Sequence, residues 1–314
     1  MKRGDRVLVT GGAGFIGSHL TEALAAKHEV VVLDDLRSGS RENLEGIPRV
    51  RLVEASILDR AALEEAVQGC RAVFHLAALT SVPESVLDPA RYSRVNTGGT
   101  ATVLDAAVQA GARRFVLAST SAVYGDLDTP ASEDAPPKPL SPYAASKAAA
   151  ENLCQEFAAS TKLTTVSLRL FNVYGPRQRA DSAYASVIPA FVTALLSGRR
   201  PVVYGDGDQT RDFLHVRDAA RFFLAAADAA ASRVSGKVYN AASGKSVSVN
   251  HLLALAKRAT GSSLGASRVQ PREGDVRQSA ANVQRARRDL KVRAEVPLET
   301  GLRELVAWYR GRAR

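Results

Sequence analysis

Tyr143 and Lys147 stand four residues apart, so a helix through them presents both side chains on one face. A phenol ionises near pH 10, too high for a base at neutral pH. An ammonium one turn away, joined by a second cation, favours the phenolate; a drop of about three units takes roughly 4 kcal/mol. Upstream, the hydroxyl run Ser119-Thr120-Ser121 closes an apolar segment, and a hydroxyl there can bind the oxygen of an alcohol being oxidised. Tyr and Lys at this spacing are also a frequent surface pair. The chemistry therefore depends on what else the chain brings.

It brings the stretch TGGAGFIG, Thr10 to Gly17, between the apolar run Val7-Leu8-Val9 and a helical pattern over Ile16–Ala26. A strand passing through a glycine turn into a helix makes an anion site, because unpaired N–H groups and the helix dipole face outward. Gly12, Gly14 and Gly17 satisfy G-x-G-x-x-G, with Gly11 extending it. A second apolar run, Val30–Leu33, ends in Asp34, about twenty residues on. A carboxylate there accepts both adenosine ribose hydroxyls and repels a 2′-phosphate. Read alone, Asp34 and Asp35 are ordinary turn acids. Together with the glycines they predict a dinucleotide site that favours NAD, while Arg37 and Arg41 are nearby cations that could serve the phosphate of NADP. The nicotinamide would then be the second cation beside Tyr143.

Strand-like and helical runs alternate through the first half. Strands are expected at Val50–Val53, Ala72–His75, Phe115–Ala118 and Thr165–Leu168, with helices over Ala61–Val67, Gly98–Ala110 and from Pro142. Near-continuous apolar strands separated by helices predict an α/β fold, a doubly wound parallel sheet of Rossmann type buried on both faces. The ligands belong beyond the carboxyl ends of the strands. Past Gly175-Pro176 the alternation loosens into a helix over Tyr184–Leu196, strands at Val202–Tyr204 and Arg211–Val216, an alanine-rich helix to Ala231, a strand at Lys237–Asn240, and a helix over Leu298–Tyr309. We expect residues 1–176 to form the NAD-binding domain, with 210–245 returning to it. Residues 177–209 and 246–314 form a smaller, mainly helical C-terminal substrate domain.

The chain of 314 residues is 46% hydrophobic, enough for a sizeable core, and no apolar run is long enough to span a bilayer. Its basic start, Met-Lys-Arg-Gly-Asp, leads into a strand and a glycine turn rather than a signal-peptide segment. Cys70 and Cys154 lie far apart, and the histidines are scattered, so no metal site is expected and a cytoplasmic location is. The net charge of +10 invites a nucleic-acid reading. The densest basic cluster, Arg285, Arg287, Arg288, Lys291 and Arg293, lacks interleaved aromatics and reads as a solvated helix face. Neither nucleic acid nor membrane is expected as a partner.

TGGAGFIG, the Asp34 strand, HLAA at His75–Ala78, STSAVYG at Ser119–Gly125 and SPYAASK at Ser141–Lys147 resemble an extended short-chain dehydrogenase/reductase. The runs LRLFNVYGPRQ, GDGDQTRDFLHV and REGDVRQS extend the match over nearly the whole chain and are similar to the nucleotide-sugar branch, especially UDP-sugar 4-epimerases. The resemblance implies Thr120, Tyr143 and Lys147 as the catalytic set: Tyr143 takes the proton of the sugar 4-hydroxyl, Thr120 bonds that oxygen, and Lys147 tunes Tyr143 and holds the nicotinamide ribose. It places NAD against Gly11, Gly14, Phe15, Ile16, Gly17, Asp34, Ser56, Ile57, Leu76, Ala77, Ala78, Asn96, Tyr143 and Lys147. Ala55-Ser56-Ile57 stands where relatives carry Gly-Asp-Ile, so Ser56 replaces an adenine-binding Asp. Asn172, Arg211 and Arg272 match diphosphate-binding positions and Tyr204 a uracil-packing one, with Ser81 and Val187 lying in runs similar to epimerases of N-acetylated sugars. Relatives restricted to UDP-glucose and UDP-galactose have a tyrosine at Ser279; a serine leaves room for an N-acetyl group, although each arginine, and Ser279, could equally be plain surface.

By the same resemblance, 4,6-dehydratases carry Asp-Glu immediately after the position of Thr120, and UDP-glucuronate decarboxylases a Glu at the second of those positions. This chain has Ser121 and Ala122 there, and neither can move a proton from carbon. A UDP-hexose 4-epimerase is therefore expected, with UDP-GlcNAc/UDP-GalNAc ahead of UDP-Glc/UDP-Gal. The alternatives are a UDP-glucuronate 4-epimerase, a dehydratase or decarboxylase, and a non-catalytic NAD-binding sensor or scaffold. Relatives dimerise through the helices that correspond to Gly98–Ala110 and Ala144–Ala159, which are rich in small residues, so a homodimer is expected.

Overall fold

The computed structural model describes residues 1–126, 130–180, 186–271 and 277–312. In chain order the first half runs β1 (Arg6–Thr10), α1 (Phe15–Ala25), β2 (Glu29–Asp34), β3 (Val50–Glu54), α2 (Arg60–Val67) and β4 (Cys70–His75). It continues with α3 (Val82–Leu87), α4 (Pro89–Tyr92), a π-helical turn (Ser93–Gly98), α5 (Gly99–Gln109), β5 (Arg114–Thr120), α6 (Pro142–Ser160) and β6 (Thr164–Leu170). The second half runs β7 (Val173–Tyr174), α7 (Val187–Leu196), β8 (Val202–Tyr204), β9 (Thr210–Asp212), β10 (Leu214–His215), α8 (Val216–Asp228), α9 (Ala231–Val234) and β11 (Lys237–Ala241). It closes with β12 (Ser246–Ser248), α10 (Val249–Thr260), β13 (Ser267–Val269), α11 (Gln284–Asp289) and α12 (Leu298–Arg312).

Seven strands form one parallel sheet in the order β11-β6-β5-β4-β1-β2-β3. The order reverses between β1 and β4, and the crevice beyond their carboxyl ends is where a doubly wound sheet binds ligands. One face is covered by α1 and α8, with Leu20, Leu24, Phe222 and Phe223 fully buried against Val7, Val9 and Val32. The other is covered by α2, α5 and α6, with Leu63, Val103, Leu104 and Ala150 against Leu8, Val73 and Leu117. A third apolar cluster joins α7, α10 and α12 through Phe191, Leu252, Leu302 and Leu305. Ala286 and Leu290, from α11 and just beyond it, pack with the first cluster, because α11 lies along β11 and Tyr239 bonds Asp289.

The strand expected over Arg211–Val216 is two strands with different partners: β9 runs antiparallel to β12, and β10 parallel to β7. Buried Asp212 makes the switch, accepting hydrogen bonds from Ser243 and Gly244 in the loop after β11. The helix expected from Tyr184 begins at Val187; Tyr184 itself lies outside the described residues. Among the described residues no helix is long and apolar enough to cross a membrane.

His75, at the end of β4, is 1% exposed and held between Thr10 Oγ1 at 2.7 Å and Thr100 Oγ1 at 3.0 Å. Burial, with help from the Lys147 charge, lowers its pKa to about 3. The unfolded chain takes up this proton near pH 6.5, which the native chain refuses until about pH 3. Stability should therefore fall as pH drops through that window, by about 1 kcal/mol per pH unit from this group. Chemical denaturation at pH 7, 6, 5 and 4 at fixed NAD checks it: His75→Gln should show a shallower loss than the wild type, and parallel curves would refute the assignment.

Candidate active site

The turn between β1 and α1 is shaped by what its glycines touch. Gly11 has φ +71°, and a Cβ there would lie 2.7 Å from Ala77 N, so the turn rests on the backbone after β4. A Cβ on Gly17 would lie 2.0 Å from Gly11 O, which keeps α1 tight against the turn. Gly14 differs: a Cβ there would meet only Gly11 O, at 3.3 Å. Packing within the protein does not demand a glycine at this position, and open space at a helix start suits a pyrophosphate.

Asp34 ends β2 and is 7% exposed, with Oδ2 accepting from Ala13 N at 2.9 Å and Oδ1 from Leu36 N at 2.9 Å. Burial raises its pKa, and the two backbone donors oppose the rise. The acid is thus fixed against the glycine turn, where a ribose would lie, and is no free turn residue. Of the two nearby arginines, Arg41 pairs with Glu54. Ser56 Oγ accepts from Leu58 N at 3.2 Å, while Ile57 is buried against Gly99. The glycine turn, Asp34 and the Ser56 loop stand on adjacent strand ends and fit a dinucleotide.

Beyond β4 the chain crosses the turn, with Leu76 N donating to Thr10 O at 3.0 Å and Ala77 N to Thr10 Oγ1 at 3.4 Å. Asn96, in the π-helical turn and 1% exposed, then ties this segment to α6. It accepts from Leu79 N at 2.8 Å and donates to Leu79 O at 2.9 Å and Ser146 Oγ at 3.0 Å. A polar side chain projecting from a π-turn is a recurrent functional arrangement. So Asn96, which the resemblance assigns to NAD, also positions the helix that carries Tyr143.

Helix α6 begins where its chemistry requires: Ser141 Oγ caps Ala144 N at 3.2 Å and Pro142 occupies the first turn. Tyr143 and Lys147 follow on one face. The hydroxyl of Thr120, the last residue of β5, lies near the Tyr143 phenol and favours its ionised form. Lys147 is 3% exposed, and burial lowers its pKa to about 8 against the opposing pull of Cys154 and Glu151. The expectation that Lys147 and a bound nicotinamide together favour the phenolate concerns the cofactor-bound site; in the chain alone the shift runs the other way. Burial pushes the Tyr143 phenol up, nearby Tyr92 adds to the rise, and only the Thr120 hydroxyl opposes it.

Two elements of this centre were not anticipated. Glu151, two turns along α6 from Tyr143, accepts from Ser119 Oγ at 2.5 Å and pairs with Arg169 of β6 at 2.7 Å, all buried. Its place four residues after Lys147 is legible in the sequence; its partner is not, because Arg169 reaches it only through strand order. Tyr92 is 2% exposed beside Ser81, and its hydroxyl makes no well-formed hydrogen bond. Ser81 caps α3, with Oγ accepting from Glu84 N at 3.3 Å.

The expected substrate residues gather partly. Asn172 Nδ2 donates to Asp212 O at 3.0 Å, beside Arg211, whose Nη1 donates to Thr210 O at 2.7 Å. Ser279 N donates to that same Thr210 O at 3.1 Å. Asn172, Arg211 and Ser279 therefore share one wall. Tyr204 ends β8 near it, and Val187 starts α7. Arg272, the REGD run and Ser182–Ala185 lie outside the described residues.

A model of the NAD dependent epimerase/dehydratase family matches residues 7–242. The UDP-N-acetylglucosamine 4-epimerase of Methanobrevibacter ruminantium, solved with UDP-N-acetylmuramic acid, superposes with a TM-score of 0.95 at 37% identity, covering 99% of this chain and 100% of that one. The Thermus thermophilus UDP-glucose 4-epimerase, solved with NAD, gives 0.88 at 36% identity over 98% and 99%. A dTDP-glucose 4,6-dehydratase of Streptomyces griseus is 38% identical over 96% of this chain and 93% of its own. Relatives of similar identity thus divide among epimerases, dehydratases and decarboxylases. With the glycine turn, the Asp34 carboxylate and the Thr120/Tyr143/Lys147 centre, the chain belongs to the NAD-dependent epimerase/dehydratase family, the extended short-chain dehydrogenase/reductases, and is an NAD-dependent enzyme of nucleotide-sugar modification.

Proposed function

We propose that this enzyme is a UDP-hexose 4-epimerase, with UDP-GlcNAc/UDP-GalNAc favoured over UDP-Glc/UDP-Gal. The observation that carries the reading is the residue pair after Thr120. Ser121 and Ala122 open a short 3-10 turn whose first N–H bond runs from Ala122 N to Thr120 Oγ1 at 3.2 Å. Neither side chain titrates at neutral pH, so neither can draw a proton from sugar carbon. Bound NAD⁺ supplies a reversible two-electron acceptor for the C4 hydrogen. Tyr143 takes the O4 proton and later returns it, and Thr120 Oγ1 holds that oxygen through both directions. Lys147 contributes positive charge below the phenol and the cofactor ribose. Asn172 and Arg211 supply amide and guanidinium donors for the diphosphate. With no acid at 121 or 122, the 4-keto sugar keeps its C5 hydrogen and can only be reduced again, on either face. The exposed sides of α5 and α6 make a two-fold homodimer the reading for assembly, checked by a light-scattering mass of two chains.

Tyr143→Phe keeps the ring and removes the base. Turnover on the true UDP-sugar should drop about a hundredfold or more while UDP-sugar binding persists. Wild-type turnover should produce no net rise in NADH absorbance; steady accumulation would point to a dehydrogenase. NMR of products from UDP-GlcNAc, UDP-glucose, UDP-glucuronate and dTDP-glucose decides among the family's reactions, and a 4-keto-6-deoxy product would overturn the reading.

Ser279→Tyr should act by volume. A clash of a few heavy atoms costs roughly 1–3 kcal/mol, about ten- to a hundredfold in specificity. The ratio of kcat/KM for UDP-GlcNAc over UDP-glucose should fall by that factor. An unchanged ratio removes Ser279 from the sugar pocket.

A further inference from the structure

The opposite edge of the sheet carries a second polar cleft. Strand β5 begins at Arg114 and ends at Thr120, so the two edges lie about 20 Å apart at 3.3 Å per residue. The cleft, about 490 Å³, is lined by Lys2, Arg71, Arg113, Arg114 and Lys162, with Asp5 as its one acidic side chain. Three adjacent strands supply the cations: Arg71 from β4, Arg113 and Arg114 from the start of β5, and Lys162 just before β6.

Their arrangement is unfavourable without a counter-ion. Ala72 of β4 pairs with Arg114, which sets Arg71 beside Arg113, and Arg113 N donates to Arg71 O at 2.9 Å. Like charges at neighbouring strand positions repel. Among the described residues Lys2, Arg71, Arg113 and Lys162 have no carboxylate partner. Arg114 donates through Nη2 to Ala229 O at 2.6 Å, while its Nη1 is buried with no hydrogen-bond partner, and burial lowers its pKa. The acids at hand are already engaged: Asp5 accepts from Lys2 N at 2.7 Å, and Asp228 pairs with the Met1 ammonium at 2.8 Å. Cations without carboxylate partners, gathered at a concave surface, call for oxygen acceptors that carry several negative charges.

We propose that this cleft binds a phosphate oligoanion, an inorganic pyrophosphate or the phosphate chain of a nucleotide, at a site separate from the catalytic centre. The neighbouring guanidiniums of Arg71 and Arg113 suit phosphate oxygens, and Lys2 and Lys162 neutralise the remaining charge.

The test is calorimetric titration of NAD-loaded protein, saturated with UDP, with pyrophosphate and in a separate arm with ATP. Saturable binding that weakens with added salt is expected, and Arg113→Glu/Lys162→Glu should lose at least tenfold in affinity while epimerase turnover is unchanged. Equal affinity for the two titrants assigns recognition to phosphate alone; tighter ATP binding lost in the same variant adds the nucleoside. The control Arg287→Glu/Arg293→Glu removes the same charge from the exposed surface elsewhere and should retain binding. If the charge-matched control loses as much as the cleft variant, the binding is diffuse attraction and the proposal falls. No binding by the wild type, or full binding by the cleft variant with an unchanged melting temperature, also overturns it.

Discussion

The buried ion pair between Glu151 and Arg169 is the interaction on which the catalytic geometry rests. Glu151 belongs to α6, which carries Tyr143 and Lys147, while Arg169 belongs to β6, the neighbour of the strand that ends in Thr120. The carboxylate also receives Ser119 Oγ, so one side chain joins helix, strand and the residue before Thr120. Arg169 makes further bonds through Nε and stacks over the Tyr124 ring at 4.5 Å, whose hydroxyl bonds Asn240 of β11. Two charges out of water cost several kcal/mol each, and their attraction offsets this only with good geometry. Removing one partner of such a pair typically costs about 3–5 kcal/mol. What the pair contributes is position: it holds the helix that carries Tyr143 against the strand end that carries Thr120.

A second set of bonds closes the site from the other side. Asn96 links the backbone after β4 to Ser146, one residue before Lys147, and the glycine turn rests on the same backbone through Gly11 and Ala77. The dinucleotide turn and the catalytic helix are therefore braced through one segment, Leu76–Leu79. Displacing that segment would disturb cofactor and catalyst together.

Electrostatically, burial raises the Tyr143 phenol and lowers Lys147 to about 8, so at neutral pH the phenol keeps its proton while Lys147 stays mostly charged. His75, behind them, is also kept uncharged. In a low-dielectric site each added charge acts strongly. A cationic nicotinamide beside Tyr143 would be such a charge.

The parallel sheet was legible because strands buried on both faces read as continuous apolar runs, and glycines at Gly12, Gly14 and Gly17 followed by Asp34 report local backbone and charge requirements. Tyr143 and Lys147 were legible for a related reason, since helical spacing places i and i+4 on one face whatever the fold. The fold family of the chain was readable from these local signals alone. Tertiary structure decided what depends on distant partners. Arg169 finds Glu151 only through the β5–β6 pairing, Tyr92 reaches Tyr143 through the crossover after β4, and Asp212 splits an apparently continuous strand by binding a loop thirty-one residues on. In the chain alone the Tyr143 phenol is raised, which spacing could not show: it tells which charge is near, but burial is a property of the whole fold.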